Sequence, residues 1–325
     1  MQIIQNTSRS TDLPRGCVAT IGNYDGVHRG QASVLAGVVE RARALGVAAA
    51  VVTFEPHPLA ILAPAQAPVP LLTPAQKEQA LAACGIDVLL RVPFTAELAA
   101  TRAESFVRDF LVGKLRVSEV HVGRRFAFGK GREGNLALLE KLGAELGFRA
   151  VGVDETTAGK ELVSSTRIRR ALAEGDVEAA SAMLGRPYAI EGKILRGDRM
   201  GQRLGFPTIN LSPENRLLPA DGVYATRAHF PSFPATFDSV TNIGTRPTVY
   251  ENHQRVVESH ILDFSSDVYG ERVSLAFHHR LREEKLFPSV MELSRQIRSD
   301  VETTREYFAA ARRSQEGARW GAGPG

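Results

Sequence analysis

The sequence predicts two domains in series: an α/β domain built on a parallel sheet, then a small antiparallel β-barrel closed by a C-terminal helix. Three observations carry this reading. Residues 17–54 run strand, glycine turn, helix, strand, the pattern of a βαβ unit with a right-handed crossover. Beyond Pro187 the texture changes to short strands with turn residues at close intervals, the signature of a small barrel. The last periodic segment, Ser289 to about Ala311, sets Val290, Leu293, Ile297, Val301 and Phe308 at helical spacing, a packing face. A length of 325 residues is more than one core usually accommodates. The expected division is 1–185, 186–313 and a flexible tail over 314–325.

Composition removes several classes of function. The net charge of +4 suits phosphorylated small molecules and is sparse for nucleic acid, which calls for a denser basic stripe and an aromatic-basic platform. No stretch approaches the ~18–20 uninterrupted apolar residues of a membrane span. The N-terminal MQIIQNTSRSTDLPRG lacks the basic-then-apolar order of a secretory signal. Cys17 and Cys84 are the only cysteines, too few for a disulfide framework or a zinc site. A cytoplasmic protein without membrane or nucleic-acid partners is expected, and any homo-oligomer is expected to be weak.

In the first half, Cys17–Ile21 leads directly into GNYDGVHRGQ (Gly22–Gln31). A helix follows, with Val34, Leu35, Val38, Val39 and Ala42 at three- and four-residue spacings, and Val47–Phe54 reads as a fully buried strand. Ligands on parallel sheets sit at the carboxyl ends of the strands, so Gly22–Gln31 falls where a nucleotide would lie, at a helix N-terminus. Phe54-Glu55-Pro56-His57-Pro58 comes next, then Leu71-Leu72-Thr73 with Lys77 in the helix after it. Asp87–Arg91 is another buried strand, and Glu104-Ser105-Phe106-Val107 opens a helix. Val120–Gly123 runs into GRRFAFGKGREG, where Phe126 and Phe128 are expected to alternate on a strand. Val163-Ser164-Ser165-Thr166-Arg167-Ile168-Arg169 reads as a helix start whose hydroxyls satisfy free N–H groups and leave donors for phosphate. Helices over Arg167–Ala173 and Asp176–Leu184 complete this half.

In the second half, Tyr188–Arg196 is a strand, followed by a glycine- and cation-rich break from Gly197-Asp198 to Gly205. Glycine lets main-chain N–H groups turn toward a phosphate. Thr208 and Asn210, two apart on an extended segment, point to one face, and their oxygens are hard ligands suited to Mg²⁺ that already carries phosphates. On the residues alone, a glycine-rich hairpin followed by an ordinary strand stands equally open. Further strands are read at Asp221–Ala225, Ser239–Ile243 (ending in Gly244-Thr245-Arg246-Pro247-Thr248), Val256–Leu262 and Val273–Leu281. In Val256–Leu262, Glu258 and His260 share one face and the apolar residues the other. Taken alone, Glu258 is an ordinary exposed strand glutamate.

GDRMGQRLGFPTINL resembles the flavokinase signature of the bifunctional riboflavin kinase/FAD synthetase family, with Ile209 where the family form has Ala. The likeness extends in register over about residues 16–311. It implies a nucleotidyltransferase-type, Rossmann-like N-terminal domain that adenylylates FMN to FAD. It also implies a Greek-key-type barrel that phosphorylates riboflavin to FMN, with ATP and flavin as substrates and Mg²⁺ as cofactor. In the barrel it implies Glu258 as the catalytic base, Gly197, Gly205, Thr208 and Asn210 at the nucleotide, and Thr208 and Asn210 as metal ligands. His260 is expected to be structural or exposed, and these groups are expected to meet inside the barrel. In the N-terminal domain, Gly22, Asn23, Asp25, Gly26, His28 (also catalytic), Gln31, Ser164, Ser165, Thr166 and Arg169 are implied at the nucleotide. Pro56, His57, Pro58, Phe106, Arg125 and Phe128 are implied at the flavin.

Two departures from the family pattern bear on the adenylyl transfer. Gln31 stands where the second histidine of His-x-Gly-His belongs and cannot become cationic. Arg125 stands where an acidic or amide residue is usual. They leave three readings open: the full bifunctional enzyme, a kinase with an impaired or altered-specificity N-terminal transferase, and a kinase whose N-terminal half is a non-catalytic flavin- or nucleotide-binding regulatory module.

Overall fold

The computed structural model of the chain describes residues 1–5, 14, 16–154, 156–158, 161–197, 200–245 and 255–320. Asp198, Arg246-Pro247-Thr248 and the end of the expected tail lie outside them. The chain divides into two compact units, Met1–Ser165 and Thr166–Gly325.

The first unit is a six-stranded parallel sheet, built from β1 (Gln2–Gln5), β2 (Val18–Ile21), β3 (Ala49–Glu55), β4 (Val88–Pro93), β5 (Glu119–Gly123) and β6 (Arg149–Val153), in the order β1-β4-β3-β2-β5-β6. Its helices are α1 (Arg29–Leu45), α2 (Pro58–Leu62), α3 (Pro74–Ala83), α4 (Ala96–Ala99), α5 (Ala103–Ser105), which continues as a π-helix over Phe106–Lys114, and α6 (Leu136–Leu146). A two-strand hairpin, β7 (Thr157–Ala158) and β8 (Glu161–Leu162), precedes α7 (Ser165–Glu174). Successive residues of a strand face opposite layers. Val18, Ala49 and Val51 accordingly pack with Leu35 and Val38 of α1, and Ala19, Ile21, Ala50 and Val52 pack with Phe106, Phe110 and Leu139 on the other side. Burial on both faces is why β2 and β3 read as continuous apolar runs. The sequence reading missed β1, α6 and β6. In β1 only Ile4 is buried, so its periodicity is too weak to read.

In the second unit, α7 and α8 (Val177–Leu184) lead into β9 (Tyr188–Leu195), the short α9 (Met200–Arg203), β10 (Ile209–Pro213), β11 (Gly222–His229), β12 (Thr236–Thr245), β13 (Arg255–Ile261), β14 (Arg272–Arg282) and α10 (Val290–Trp320). The strands close an antiparallel barrel in the order β10-β13-β12-β11-β14-β9, and β9 pairs back to β10. β11, β12 and β13 form a meander, and β14 crosses over to lie between β11 and β9, a Greek-key connection. The interior holds a linked set of hydroxyls: Thr226 Oγ1 meets Ser239 Oγ at 2.7 Å and Thr241 Oγ1 at 2.6 Å, and Thr241 meets Ser259 at 2.8 Å.

Two boundaries differ from expectation. The units part at Ser165/Thr166 rather than at 185/186 because α7 and α8 pack with the barrel. The Ala220 N–H donates to Leu172 O at 2.8 Å, and Arg280 Nη1 donates to Glu174 O at 3.3 Å. Amphipathic periodicity shows that a helix has a partner without saying which. The expected tail from Ser314 onward is instead helical as far as Trp320, because α10 continues that far.

Candidate functional site

The first unit gathers three loops at the carboxyl ends of neighbouring strands β3, β2 and β5: Pro56–Pro58, Gly22–His28 and Arg124–Phe128. After β2 the chain turns sharply. The Gly22 N–H donates to Val52 O at 3.0 Å, and Tyr24, Gly26 and Val27 have φ of 47°, 98° and 44°. Asp25 Oδ1 accepts the Leu71 N–H at 2.9 Å, and Asp25 O accepts the Ser165 hydroxyl at 2.7 Å. His28, nearly buried, is the N-cap of α1: its Nδ1 accepts the Gln31 N–H at 3.3 Å, and Gln31 Oε1 accepts the His28 N–H at 3.2 Å. This reciprocal pair is a capping box. With Nδ1 accepting, a neutral His28 carries its proton on Nε2 and can donate from there.

The Glu55–Pro56 peptide is cis. His57 caps α2 through Nδ1, which accepts the Leu59 N–H at 3.2 Å, and its Nε2 lies 3.0 Å from the Asn23 carboxamide. Two of the three loops are thereby joined. Beside them lies a cleft of about 160 Å³ lined by Asn23, Asp25, Thr53, His57, Thr73 and Lys77 among others. Lys77 Nζ donates to Asn23 O at 2.6 Å and Thr53 Oγ1 at 2.8 Å. Burial pushes its amine down to about 8, with Asp25 and Glu55 opposing and Arg91 assisting. The sequence reading placed Lys77 in a helix without a role, and its spacing carries no signal of these bonds.

The aromatic residues differ from expectation. After β5 the chain turns at residues 124–125, residues 126–127 have no regular structure, and Phe128 forms only an isolated antiparallel bridge to Gly134, so Phe126 and Phe128 do not alternate on a strand. Their rings stack at 5.4 Å and 15°. Phe128 and Phe106 are buried in the core, 6.0 Å apart, and half-buried Phe126 is the more accessible of the stacked pair. Arg125 is exposed in the turn, and Arg124 pairs with Asp154. Ser164 is half-buried and Ser165 begins α7. Thr166 and Arg169 follow on α7, with Thr166 exposed.

The second site lies on the barrel. Along β13, Val257, Ser259 and Ile261 are buried while Glu258 and His260 are half-buried, so the latter pair stands on the outer wall. Residues opposite one another in an antiparallel pair share a face. Glu258 is the register partner of Asn210 on one side and Asn242 on the other. Thr208, Asn242, Glu258 and His260 line a cavity of about 620 Å³, closed by Phe206, the Glu284–Ser289 loop and the Leu293–Asp300 face of α10. The groups expected inside the barrel therefore meet on its outside. A six-stranded barrel has room only for its own side chains, here the hydroxyl set with apolar neighbours such as Val257 and Ile261.

Local contacts fix this wall. His260 Nδ1–H donates to Pro207 O at 2.8 Å, and its ring meets Phe206 edge-on at 5.7 Å. Asn210 lies against Gly197 so closely that a Cβ there would come within 2.2 Å of Nδ2. Gly205 has φ of 83°, a left-handed turn that glycine adopts without strain. Opposite, buried Asp300 accepts Arg282 Nη2 at 2.8 Å and Gln296 Nε2 at 2.9 Å, and Lys285 donates to Gln296 Oε1 at 2.8 Å. Arg282 and Asn242 had no assigned role in the sequence reading. The cavity has a polar wall of hydroxyl, carboxylate and amide facing an apolar one of Phe287, Leu293 and Ile297, which suits a ligand with a flat apolar body and a polar chain. No group of three or more His, Cys, Asp or Glu side chains able to hold a metal occurs among the described residues. Thr208 and Asn210 instead offer two neutral hard oxygens, a donor set that fits Mg²⁺ only when phosphates complete the shell.

Comparison with known proteins gives matches for both units. The FAD synthetase family model matches residues 10–167 and the riboflavin kinase family model residues 184–308. The chain is 40% identical over 309 residues to the bifunctional riboflavin kinase/FMN adenylyltransferase of Escherichia coli (strain K12), covering 95% of this chain and 98% of that protein. It is 38% identical to the protein of the same name from Pseudomonas fluorescens, over 95% and 98% of the two chains. Against the one from Haemophilus influenzae it is 35% identical, over 95% and 99%. A crystal structure described as a macrolide-efflux protein from Streptococcus pneumoniae aligns over 94% of this chain and 99% of that one, with a TM-score of 0.84 and 26% identity. Among the described residues no helix is long and apolar enough to cross a membrane.

Proposed function

The chain belongs to the bifunctional riboflavin kinase/FMN adenylyltransferase family, and from that premise we propose how its residues divide the two reactions. It is a transferase of flavin cofactor synthesis: the C-terminal half phosphorylates riboflavin to FMN, and the N-terminal half adenylylates FMN to FAD, both from ATP.

The observation that carries the kinase assignment is that Thr208 and Glu258 line one cavity while Asn210 is the register partner of Glu258. Glu258 takes the proton from the primary hydroxyl of riboflavin as that oxygen attacks the γ-phosphorus, and ADP leaves. Gly197 leaves room for Asn210, and His260 holds the Pro207 carbonyl so that Thr208 faces the carboxylate. Thr208 and Asn210 would hold Mg²⁺, which when bound neutralises charge on the transferred phosphate. The flat ring system lies along Phe287, Leu293 and Ile297.

In the N-terminal half, a phosphate oxygen of FMN attacks the α-phosphorus of ATP and pyrophosphate leaves, with no covalent intermediate. Gly22, Asn23, Asp25, Gly26, His28 and the Ser164–Arg169 helix start hold the nucleotide, with the His28 Nε2 proton and main-chain N–H groups stabilising charge on the leaving group. Pro56, His57 and Pro58 bound the flavin side, with half-buried Phe126 as the accessible ring and Phe106 and Phe128 packed behind it in the core. One observation favours a slow or altered-specificity transferase: Gln31 Oε1 is committed to the His28 N–H. A cytoplasmic location and at most weak self-association complete the proposal.

The test is to incubate the purified chain with riboflavin, ATP and Mg²⁺ and resolve the products by chromatography. FMN and FAD together are expected. FMN alone would remove the adenylyl transfer and leave the kinase.

A further inference from the structure

The turn between β2 and α1 holds its shape against its own backbone preferences. Tyr24 and Val27 have φ of 47° and 44°, a region that costs any residue with a Cβ and is an outlier for a β-branched one. Such a turn persists only where its surroundings over-determine it. Four ties do so. Tyr24 OH meets Thr20 Oγ1 at 2.5 Å, Asp25 Oδ1 accepts the Leu71 N–H, Asp25 O accepts the Ser165 hydroxyl, and Asn23 O accepts Lys77 Nζ at 2.6 Å. The Lys77 tie alone among them also reaches the end of β3, because the same Nζ donates to Thr53 Oγ1 at 2.8 Å, and Thr53 Oγ1 donates onward to Asn23 O at 3.4 Å. The side chain of the residue so held, Asn23, is the one that meets His57. One amine on α3 thus links the nucleotide turn, the strand end and the loop assigned to the flavin.

We propose that Lys77 is a positioning residue for adenylyl transfer: by gripping the Asn23 carbonyl against Thr53 it keeps the Gly22–Val27 turn left-handed and in register with His57. This rests on the reading of the N-terminal half as the FMN adenylyltransferase. Asp25, Glu55 and Arg91 surround the amine, Glu78 pairs with Arg91, and His57 lines the same cleft. With its proton lost near pH 8, the amine keeps hydrogens to donate but gives up the charge that strengthens both bonds.

The test compares wild type, Lys77→Met and Lys77→Arg in three measurements. In the first, FAD formation from FMN is expected to fall roughly 10- to 100-fold in Lys77→Met, as for a misplaced reacting group. FMN formation by the same chain should be unchanged, and Lys77→Arg should recover part of the loss. In the second, the wild-type pH profile of FAD formation should show a limb near 8 that Lys77→Met lacks. In the third, hydrogen exchange of a peptide spanning residues 20–27 should quicken in Lys77→Met. Unchanged FAD formation or unchanged exchange overturns the proposal, as does a loss of FAD matched by an equal loss of FMN. If wild type makes no FAD from FMN, the reading of the N-terminal half fails, and the exchange result still decides whether Lys77 holds the turn.

Discussion

Gln31 and His28 close on each other at the start of α1: the Gln31 N–H donates to His28 Nδ1 at 3.3 Å, and the Gln31 side chain accepts the His28 N–H at 3.2 Å. Gln31, one of the residues that depart from the family pattern, is therefore the N3 partner in the capping box of α1. Replacing it with histidine removes the return bond and introduces a group that can carry charge. Gln31→His is expected to lower stability by about 0.5–1.5 kcal/mol and to raise FAD formation, with ~2.7–4 kcal/mol of transition-state stabilisation as the ceiling. Thermal unfolding and FAD yield from FMN check the two effects separately. A less stable variant with unchanged FAD yield would show that position 31 serves the cap alone.

Glu258→Gln keeps the shape of the outer wall and removes the proton acceptor. FMN formation is expected to fall by about 10²- to 10⁴-fold, with the KM for ATP little changed and FAD formation from supplied FMN intact. Steady-state kinetics on the two half-reactions decides this. A matched fall in both would place the defect in folding.

Gly197→Ala puts a methyl where Asn210 now lies, 2.2 Å from Nδ2. The amide can swing away, so the barrel should fold normally while the oxygen proposed for Mg²⁺ is displaced. The Mg²⁺ concentration for half-maximal FMN formation is expected to rise roughly 10- to 100-fold. An unchanged Mg²⁺ titration would place Asn210 outside the metal shell.

Glu119 is buried at the start of β5, where Arg41 and then His121 hydrogen-bond it and pull its carboxyl from 4.5 down to about 2, against the opposing effect of burial. A depressed carboxyl stabilises the fold fully above its unfolded value, and that contribution fades as pH falls through the folded value. The pair should supply on the order of 3 kcal/mol near neutral pH, lost progressively from about pH 4.5 to about 2. Glu119→Gln should flatten the acid limb of the stability curve, as measured by denaturant unfolding across that range. A curve that still falls as steeply would assign acid lability to other carboxylates.

The sequence reveals the elements wherever one periodicity dominates. VATI and AAVVTF are apolar but for buried Thr20 and Thr53 because helices cover both faces of the sheet, and VVESHIL alternates because only one side of β13 meets the interior. It is silent on what depends on closure. Alternation puts Glu258 and His260 on one side of a strand, but only a closed barrel of six strands, with Ser259, Val257 and Ile261 buried on the other side of β13, decides that this side is the outer one. The ties of Lys77 to Asn23 and Thr53 join residues 54 and 24 positions apart, beyond any spacing rule. The paired spacing of Phe126 and Phe128 misleads for a local reason, because the chain leaves β5 at Gly123 and turns before reaching them.

Because the kinase cavity is set against the barrel's external surface, the closed ring of strand pairings has no part in admitting or releasing ligand. Among the described residues, Phe206, the Glu284–Ser289 loop and the face of α10 cover it. Turnover can then proceed with every ladder bond of the barrel intact, and substitutions in that covering loop should change the rate of product escape while leaving the unfolding free energy of the barrel unmoved.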